Sequence, residues 1–174
     1  GRALVPSTRS RLAIVRRLAD LTGPLTTAVS RAMQERHPWF NRLDSKERSW
    51  VTLVARAGVE DFVTWFADNP DQIAHPQSIF NAAPRALTRR ISLQQTVDMV
   101  RTTIEVVEEQ LQLLAPRGDR AALQIAIVHY SREVAFAAAE VYANAAENRG
   151  AWDEHMEALL VDGVVRADAE DSLL

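Results

Sequence analysis

The chain has 174 residues, of which 47% are apolar, enough for one domain with its own core. Its 20 basic and 23 acidic side chains give a net charge of -3, well short of the basic balance typical of a DNA-binding domain. Cysteine is absent, which excludes disulfides, thiolate metal sites and a cysteine nucleophile. No apolar stretch approaches the ~20 residues of a membrane span and no signal-peptide pattern opens the sequence, so we expect a cytoplasmic protein without a membrane segment.

The charge is unevenly distributed along the chain. Residues 1–48 contain ten basic and four acidic residues, whereas the sequence from Asp98 onward contains six basic and fifteen acidic ones. The basic end allows contact with nucleic acid or an acidic partner. We favour the simpler interpretation, the solvated face of an amphipathic helix that carries Arg9, Arg11, Arg16 and Arg17.

The first half of the chain predicts helices separated by proline breaks. Ser7 or Ser10 can cap a first helix, and Gly23-Pro24 predicts a kink or a new helix before the pattern stops at Pro38. Asp44 and Glu47 form a capping box before a helix with an aromatic stripe. That stripe indicates core or an apolar ligand pocket, and consists of Trp50, Phe62, Trp65 and Phe66. Residues 70–91 are predicted to form a loop with short helical turns around 77–82.

The second half predicts three more helices. Ser92 and Gln95 cap a helix whose apolar residues from Leu93 to Leu114 follow a heptad seam, either within the bundle or at a dimer interface. Residues 119–148 are apolar on nearly every side, which predicts a helix buried between neighbours. Arg149-Gly150 predicts its end, and a last helix follows. No segment alternates with strand periodicity, so the fold prediction is an all-α bundle of five to seven helices in a single domain, 1–174.

One polar cluster interrupts the apolar helix 119–148, formed by His129, Tyr130, Arg132 and Glu133. Charged groups in a core require partners, so the cluster indicates either a polar pocket for an effector or an internal ion pair that fixes helix register. A haem-binding interpretation would need His129 or His75 as axial ligand. We favour a structural histidine and predict no cofactor. Phosphate-binding, nucleophile-elbow and zinc-helix motifs are absent, which argues against an enzyme.

Parts of the sequence resemble the N-terminal region of actinobacterial PucR-type (CdaR-like) transcription regulators. The resemblance lies in residues 102–109, 132–143, 146–153 and 157–162, and is closest to members associated with fatty-acid biosynthesis genes. In such regulators this region is similar to the helical N-terminal domain of RsbR/RsbRD stressosome proteins, some with a globin-like fold without haem. GGDEF-like and helix-turn-helix domains normally follow and lie outside this chain, so any DNA contact is expected through those domains alone.

The resemblance implies a regulatory input domain that dimerises and senses a small acyl or lipid-related effector. The alternatives are a purely structural dimerisation module and a haem-binding, globin-like sensor. Regulators that read palindromic DNA need two-fold symmetry, so we expect a homodimer. The candidate dimer surface lies in the last predicted helix and consists of Trp152, Met156, Leu159, Leu160 and Val164.

Overall fold

A computed structural model of the protein describes residues 8–68, 70–83 and 85–172. Within these ranges the chain is all-α, as predicted, and contains seven helical segments and no strand. The segments are α1 (Thr8–Arg36), α2 (Pro38–Asn41), α3 (Ser45–Asp68), a 3-10 helix (Pro76–Ala82), α4 (Leu87–Arg90), α5 (Leu93–Leu114) and α6 (Arg120–Asp171). None of the helices described combines the length and apolar character needed to cross a bilayer.

The two predicted capping boxes are confirmed. The Glu47 backbone N–H donates to Asp44 Oδ1 at 2.8 Å, and the Asp44 N–H donates to Glu47 Oε2 at 3.2 Å. Ser92 and Gln95 make the same reciprocal pair, at 3.1 and 2.9 Å, where α5 begins. Each box satisfies backbone donors that a helix start leaves without partners, which fixes where α3 and α5 begin.

A new helix does not begin at Pro24, because α1 continues through this residue. The predicted cap Ser7 lies outside the described residues. Proline removes one hydrogen bond and costs about 3 kcal/mol in a helix interior. Leu18 and Leu25, on either side of Pro24, are each only 2% exposed. Burial of two such side chains contributes roughly 1.5–3 kcal/mol each, so a shared buried face offsets the cost of the proline.

The predicted helix end at Arg149-Gly150 is also wrong. Helix α6 runs without a break over 52 residues, and none of the described glycines has the positive φ of a helix C-cap. A glycine inside a helix costs only about 1 kcal/mol relative to alanine. Gly150 is surrounded by strong helix formers such as Ala146, Glu147 and Ala151, so the helix continues through it.

The backbone contacts divide the chain into two compact units, with the division between Ala139 and Glu140. In the first unit, side chains from α1, α3, α5 and α6 form a core around Phe62, Phe66 and Leu123. A second cluster joins α1, α2, α3 and α5 around Met33, Phe40, Val54 and Met99.

The second unit is helical throughout its described length, as the last part of α6 and one further turn residue. Every residue from Ala146 to Ser172 is exposed, although this stretch includes a tryptophan, a methionine and several leucines and valines. The first unit therefore buries many of its large apolar side chains, whereas those between Ala146 and Ser172 in the second unit are exposed.

The heptad seam of α5 belongs mainly to the core of the first unit. Val107 and Leu111 are buried, and Val100 and Ile104 pack against the core clusters. At the start of α5, Leu93 and Val97 are instead 42% and 39% exposed. The seam is thus largely intramolecular. Of its described side chains, only those at its start, Leu93 and Val97, are exposed enough to contribute to a dimer interface.

Candidate functional site

The predicted polar core around residue 130 is wrong for two of its four members. His129 and Arg132 are exposed and Glu133 is half-buried, whereas Tyr130 is buried. The buried face of α6 includes Ile127, Tyr130 and Val134, spaced three and four residues apart, so the residues between them point elsewhere. Arg132 Nε lies 3.3 Å from Glu133 Oε1, a surface ion pair of the kind that contributes little to stability.

Tyr130 is the polar member of this group that the core retains. Its hydroxyl donates to Asp61 Oδ2 at 2.6 Å and lies 3.3 Å from the Gly58 carbonyl oxygen. The ring packs edge-on against Phe62 at 5.2 Å and lies tilted against Trp65 at 5.5 Å, between ring centroids. Burial, together with the hydrogen bond to the Asp61 carboxylate and its negative charge, raises the pKa of Tyr130 far above its usual range.

Asp61, the hydrogen-bond partner of Tyr130, was not predicted from the sequence. It lies in α3, 69 positions before Tyr130, and its partner cannot be read from helix periodicity. The aromatic stripe of α3 gave a partial signal, because Phe62 and Trp65 are the residues that pack around the tyrosine ring. The stripe is mainly core, as favoured, since Phe62 and Phe66 are buried.

Tyr130 also borders an apolar cavity of about 70 Å³ inside the first unit. The cavity is lined by α1, α3, the 3-10 helix, α5 and α6, with Phe62, Phe80, Met99, Ile104 and Ile127 among its walls. Its volume leaves room for a short alkyl group. Phe62 therefore fits both interpretations of the aromatic stripe, because it belongs to the core and also lines the cavity.

Two of the polar groups on the cavity wall are already engaged within the protein. The Thr103 hydroxyl donates to the Met99 carbonyl at 2.8 Å, and the Tyr130 hydroxyl donates to Asp61. Neither group needs a ligand to satisfy it. The cavity wall is thus mainly apolar and is chemically suited to an apolar group.

The histidines considered as haem ligands lie elsewhere. His129 and His75 are both exposed, and neither lines the cavity. Within the described ranges, no three His, Asp or Glu side chains are grouped so as to hold a metal ion. The half-buried His37 has a different environment: its Nε2 lies 2.8 Å from the Thr102 hydroxyl and its Nδ1 lies 4.0 Å from Asp98 Oδ2. This contact joins the end of α1 to α5 and was not predicted.

The second unit presents the residues of the candidate dimer surface to solvent. We refer to these five residues as the Trp152 stripe: Trp152 is 63% exposed, Met156 40%, Leu159 53%, Leu160 67% and Val164 62%. Neighbouring Val161 and Val165 are 59% and 60% exposed. Val161 and Val165 lie on the other side of the helix from Trp152, and a row of exposed large apolar side chains such as the Trp152 stripe is typical of an interaction site.

The first unit carries a second exposed apolar surface, whose residues were predicted to lie in the interior. Ile125 is 52% exposed, Val128 55% and Phe136 61%, and we refer to these three residues as the Val128 surface. They lie on α6 away from its buried residues, so the expectation that this helix is buried on all sides is wrong. The Val128 surface borders the exposed His129 and Arg132.

Comparison with known proteins gives relatives in mycobacteria. Uncharacterised proteins of Mycobacterium tuberculosis and Mycobacterium bovis are each 46% identical to the chain over 162 residues. The aligned region covers 92% of this chain and 39% of each relative, so the chain spans about two fifths of their length. No family model matches the chain. The resemblance to PucR-type regulators stays a prediction.

Proposed function

We propose that the chain is the input and self-association domain of a bacterial transcription regulator, which forms a homodimer and reaches DNA through other domains. The Trp152 stripe carries the proposal. Its large side chains are 40–67% exposed along one helix, and such a surface costs free energy in water until a partner covers it. The five side chains of the stripe are suited to the apolar centre of a helical interface, which is typically surrounded by a polar rim.

Two further observations support a role within a larger protein. The mycobacterial relatives contain the matching region as 39% of their length, as expected of one module among several. The resemblance of residues 132–143 and 146–153 to PucR-type regulators supplies the regulatory context. An input domain influences a distant DNA-binding domain when its own state is coupled to that domain's arrangement.

Sedimentation equilibrium of the chain tests self-association. We expect a mass of twice 19.4 kDa in the micromolar range, falling toward 19.4 kDa on dilution. A protein that stays monomeric at high micromolar concentration contradicts the proposal. Gel shifts at moderate salt should show no sequence-specific complex with DNA, because the chain has an acidic balance and no helix-turn-helix was recognised in it.

The cavity favours a second candidate function, sensing of a small effector with an acyl or other alkyl part. Its wall is apolar, and the hydroxyls of Thr103 and Tyr130 already have partners. A ligand that binds the folded state alone raises the melting temperature, by an amount that grows with the logarithm of its concentration divided by its dissociation constant. Thermal shifts with a series of fatty acids and acyl-CoA esters of increasing chain length test this. Ile104→Trp, which fills the cavity, should abolish any shift, whereas Leu113→Trp on the exposed side of α5 should not.

A further inference from the structure

The two exposed apolar surfaces are complementary to each other. Building on the proposed self-association, we infer that the Val128 surface of one copy is covered by the Trp152 stripe of a second copy, with the two helical segments antiparallel. Exchanging the two copies gives the same pairs of residues, which is the reciprocity expected at a two-fold interface. The occupant of the Val128 surface is therefore a second copy of this chain.

The spacing of the residues matches in the two surfaces. Val128 and Phe136 are eight residues apart, and so are Trp152 and Leu160. At 1.5 Å per residue both pairs span about 12 Å along a helix. When antiparallel segments bring Phe136 opposite Trp152, Val128 therefore comes opposite Leu160. The pairing joins two aromatic side chains at one end and two aliphatic side chains at the other.

The charges around the two surfaces differ. Residues 125–136, which carry the Val128 surface, contain Arg132, Glu133 and His129, whereas residues 152–165 contain four carboxylates and neither arginine nor lysine. Arg132 is midway between Val128 and Phe136, so the same register brings it beside Met156 and the adjacent Glu157. Opposite charges across an interface select the partner and its orientation.

The same charges disfavour the simplest alternative, in which two Trp152 stripes pack on each other. That arrangement would bring Asp153, Glu154, Glu157 and Asp162 of one copy close to the same carboxylates of the other. Like charges placed across an interface are unfavourable, and the Val128 surface would stay uncovered. Pairing of unlike surfaces covers both apolar regions and places carboxylates beside arginine.

Cysteine cross-linking tests the pairing directly, because the chain has no cysteine of its own. Val128→Cys and Leu160→Cys proteins are mixed, allowed to exchange subunits and oxidised. We expect a disulfide-linked dimer between the two variants and little cross-linking in either variant alone. A mixture of Leu113→Cys with Leu160→Cys is the matched control, since Leu113 is 76% exposed on α5 and lies in neither surface.

The outcomes separate this inference from the proposed function. Cross-linking of Leu160→Cys alone, or a dimer in solution that gives no 128–160 link, overturns the pairing and leaves self-association standing. A protein that is monomeric by sedimentation at high micromolar concentration overturns both.

Charge reversal gives an independent readout. Arg132→Glu should weaken the dimer by about five-fold for each ion pair lost, the effect of up to about 1 kcal/mol from an exposed pair. Adding Glu157→Arg should restore the affinity. A double variant that dimerises no more tightly than Arg132→Glu alone contradicts the pairing, while circular dichroism checks that each variant stays helical.

Discussion

The aromatic core of α3 and the Trp152 stripe of α6 contain the same kinds of side chain in opposite environments. Phe66 is 1% exposed and Phe62 is 5% exposed, whereas Trp152 is 63% and Leu160 is 67% exposed. Both sets lie on helices and both were recognisable as apolar stripes. The difference shows that helical spacing identifies an apolar face, but the tertiary contacts decide whether this chain or a partner covers it.

The two regions should therefore respond differently to the loss of a large side chain. In the core, removal of an aromatic ring lowers the free energy of unfolding of the chain itself. In the stripe, the same change should leave the monomer's stability intact and lower its affinity for a second copy. Substitutions in each region test this difference between folding and association.

The largest effect is expected for Phe66→Ala. The ring is fully buried and stacks on Phe62 at 5.8 Å between centroids, so its removal leaves a cavity and should cost about 3–5 kcal/mol of unfolding free energy. Urea unfolding followed by circular dichroism measures this. Ile73→Ala is the control: its side chain is 65% exposed, and we expect a change within about 0.5 kcal/mol. A loss below 1 kcal/mol for Phe66→Ala would contradict the core assignment.

Trp152→Ala should act on association instead of folding. A large aromatic residue at an interface centre contributes about 2 kcal/mol or more, which corresponds to roughly a thirty-fold weaker dimer. Sedimentation at several concentrations gives the dissociation constant, and urea unfolding under monomeric conditions should be unchanged. If the variant dimerises normally but unfolds at lower urea concentration, Trp152 belongs to the core of the monomer.

Tyr130→Phe should cost about 1–2 kcal/mol at neutral pH, because it removes the hydrogen bond to the Asp61 carboxylate. The raised pKa of Tyr130 also predicts a dependence on pH. The unfolded tyrosine loses its proton above about pH 10, while the folded one keeps it, so this contribution is complete below pH 10 and stability declines above it.

The wild type should lose up to about 1.4 kcal/mol per pH unit more than Tyr130→Phe above pH 10. Urea unfolding at pH 8, 10 and 11 measures the difference between the two proteins. Parallel curves for wild type and variant would show that Tyr130 keeps its ordinary pKa in the folded state.

The smallest effect is a gain in stability. Gly58 lies inside α3, and an added Cβ would meet Ile79 Cδ1 at 3.8 Å, an ordinary contact. Gly58→Ala should therefore raise the unfolding free energy by about 0.4–1 kcal/mol, chiefly by restricting the unfolded chain. Gly163→Ala, with open space around it, is the matched change in the second unit. A loss of stability in Gly58→Ala would mean that the α3 backbone approaches its neighbours more closely than this distance indicates.

The sequence predicted the elements whose signals are local. The boxes Asp44–Glu47 and Ser92–Gln95 and the break before Pro38 depend on residues within one turn, and the structure contains all three. The helix breaks predicted at Pro24 and Gly150 were wrong, because placing these residues inside a helix costs only a few kcal/mol. Buried neighbours outweigh that cost at Pro24, and strong helix formers outweigh it at Gly150.

The candidate sites depend on contacts that no local signal carries. Tyr130 meets Asp61 across 69 positions, and the exposure of His129 and Arg132 follows from which face of α6 packs on α1 and α3. The Trp152 stripe was identified as a surface from its spacing, and the Val128 surface was not. Both have apolar helical patterns, and only the tertiary contacts distinguish them from core.

Hydrogen exchange at two protein concentrations tests most directly whether a second copy covers the stripe. A lone exposed helix opens readily, whereas one packed in an interface is protected. We predict that amides of residues 152–164 exchange much faster after dilution below the dimer dissociation constant, while amides around Phe62 and Phe66 keep the same protection. Exchange of residues 152–164 that is independent of protein concentration would show that no second copy covers the stripe.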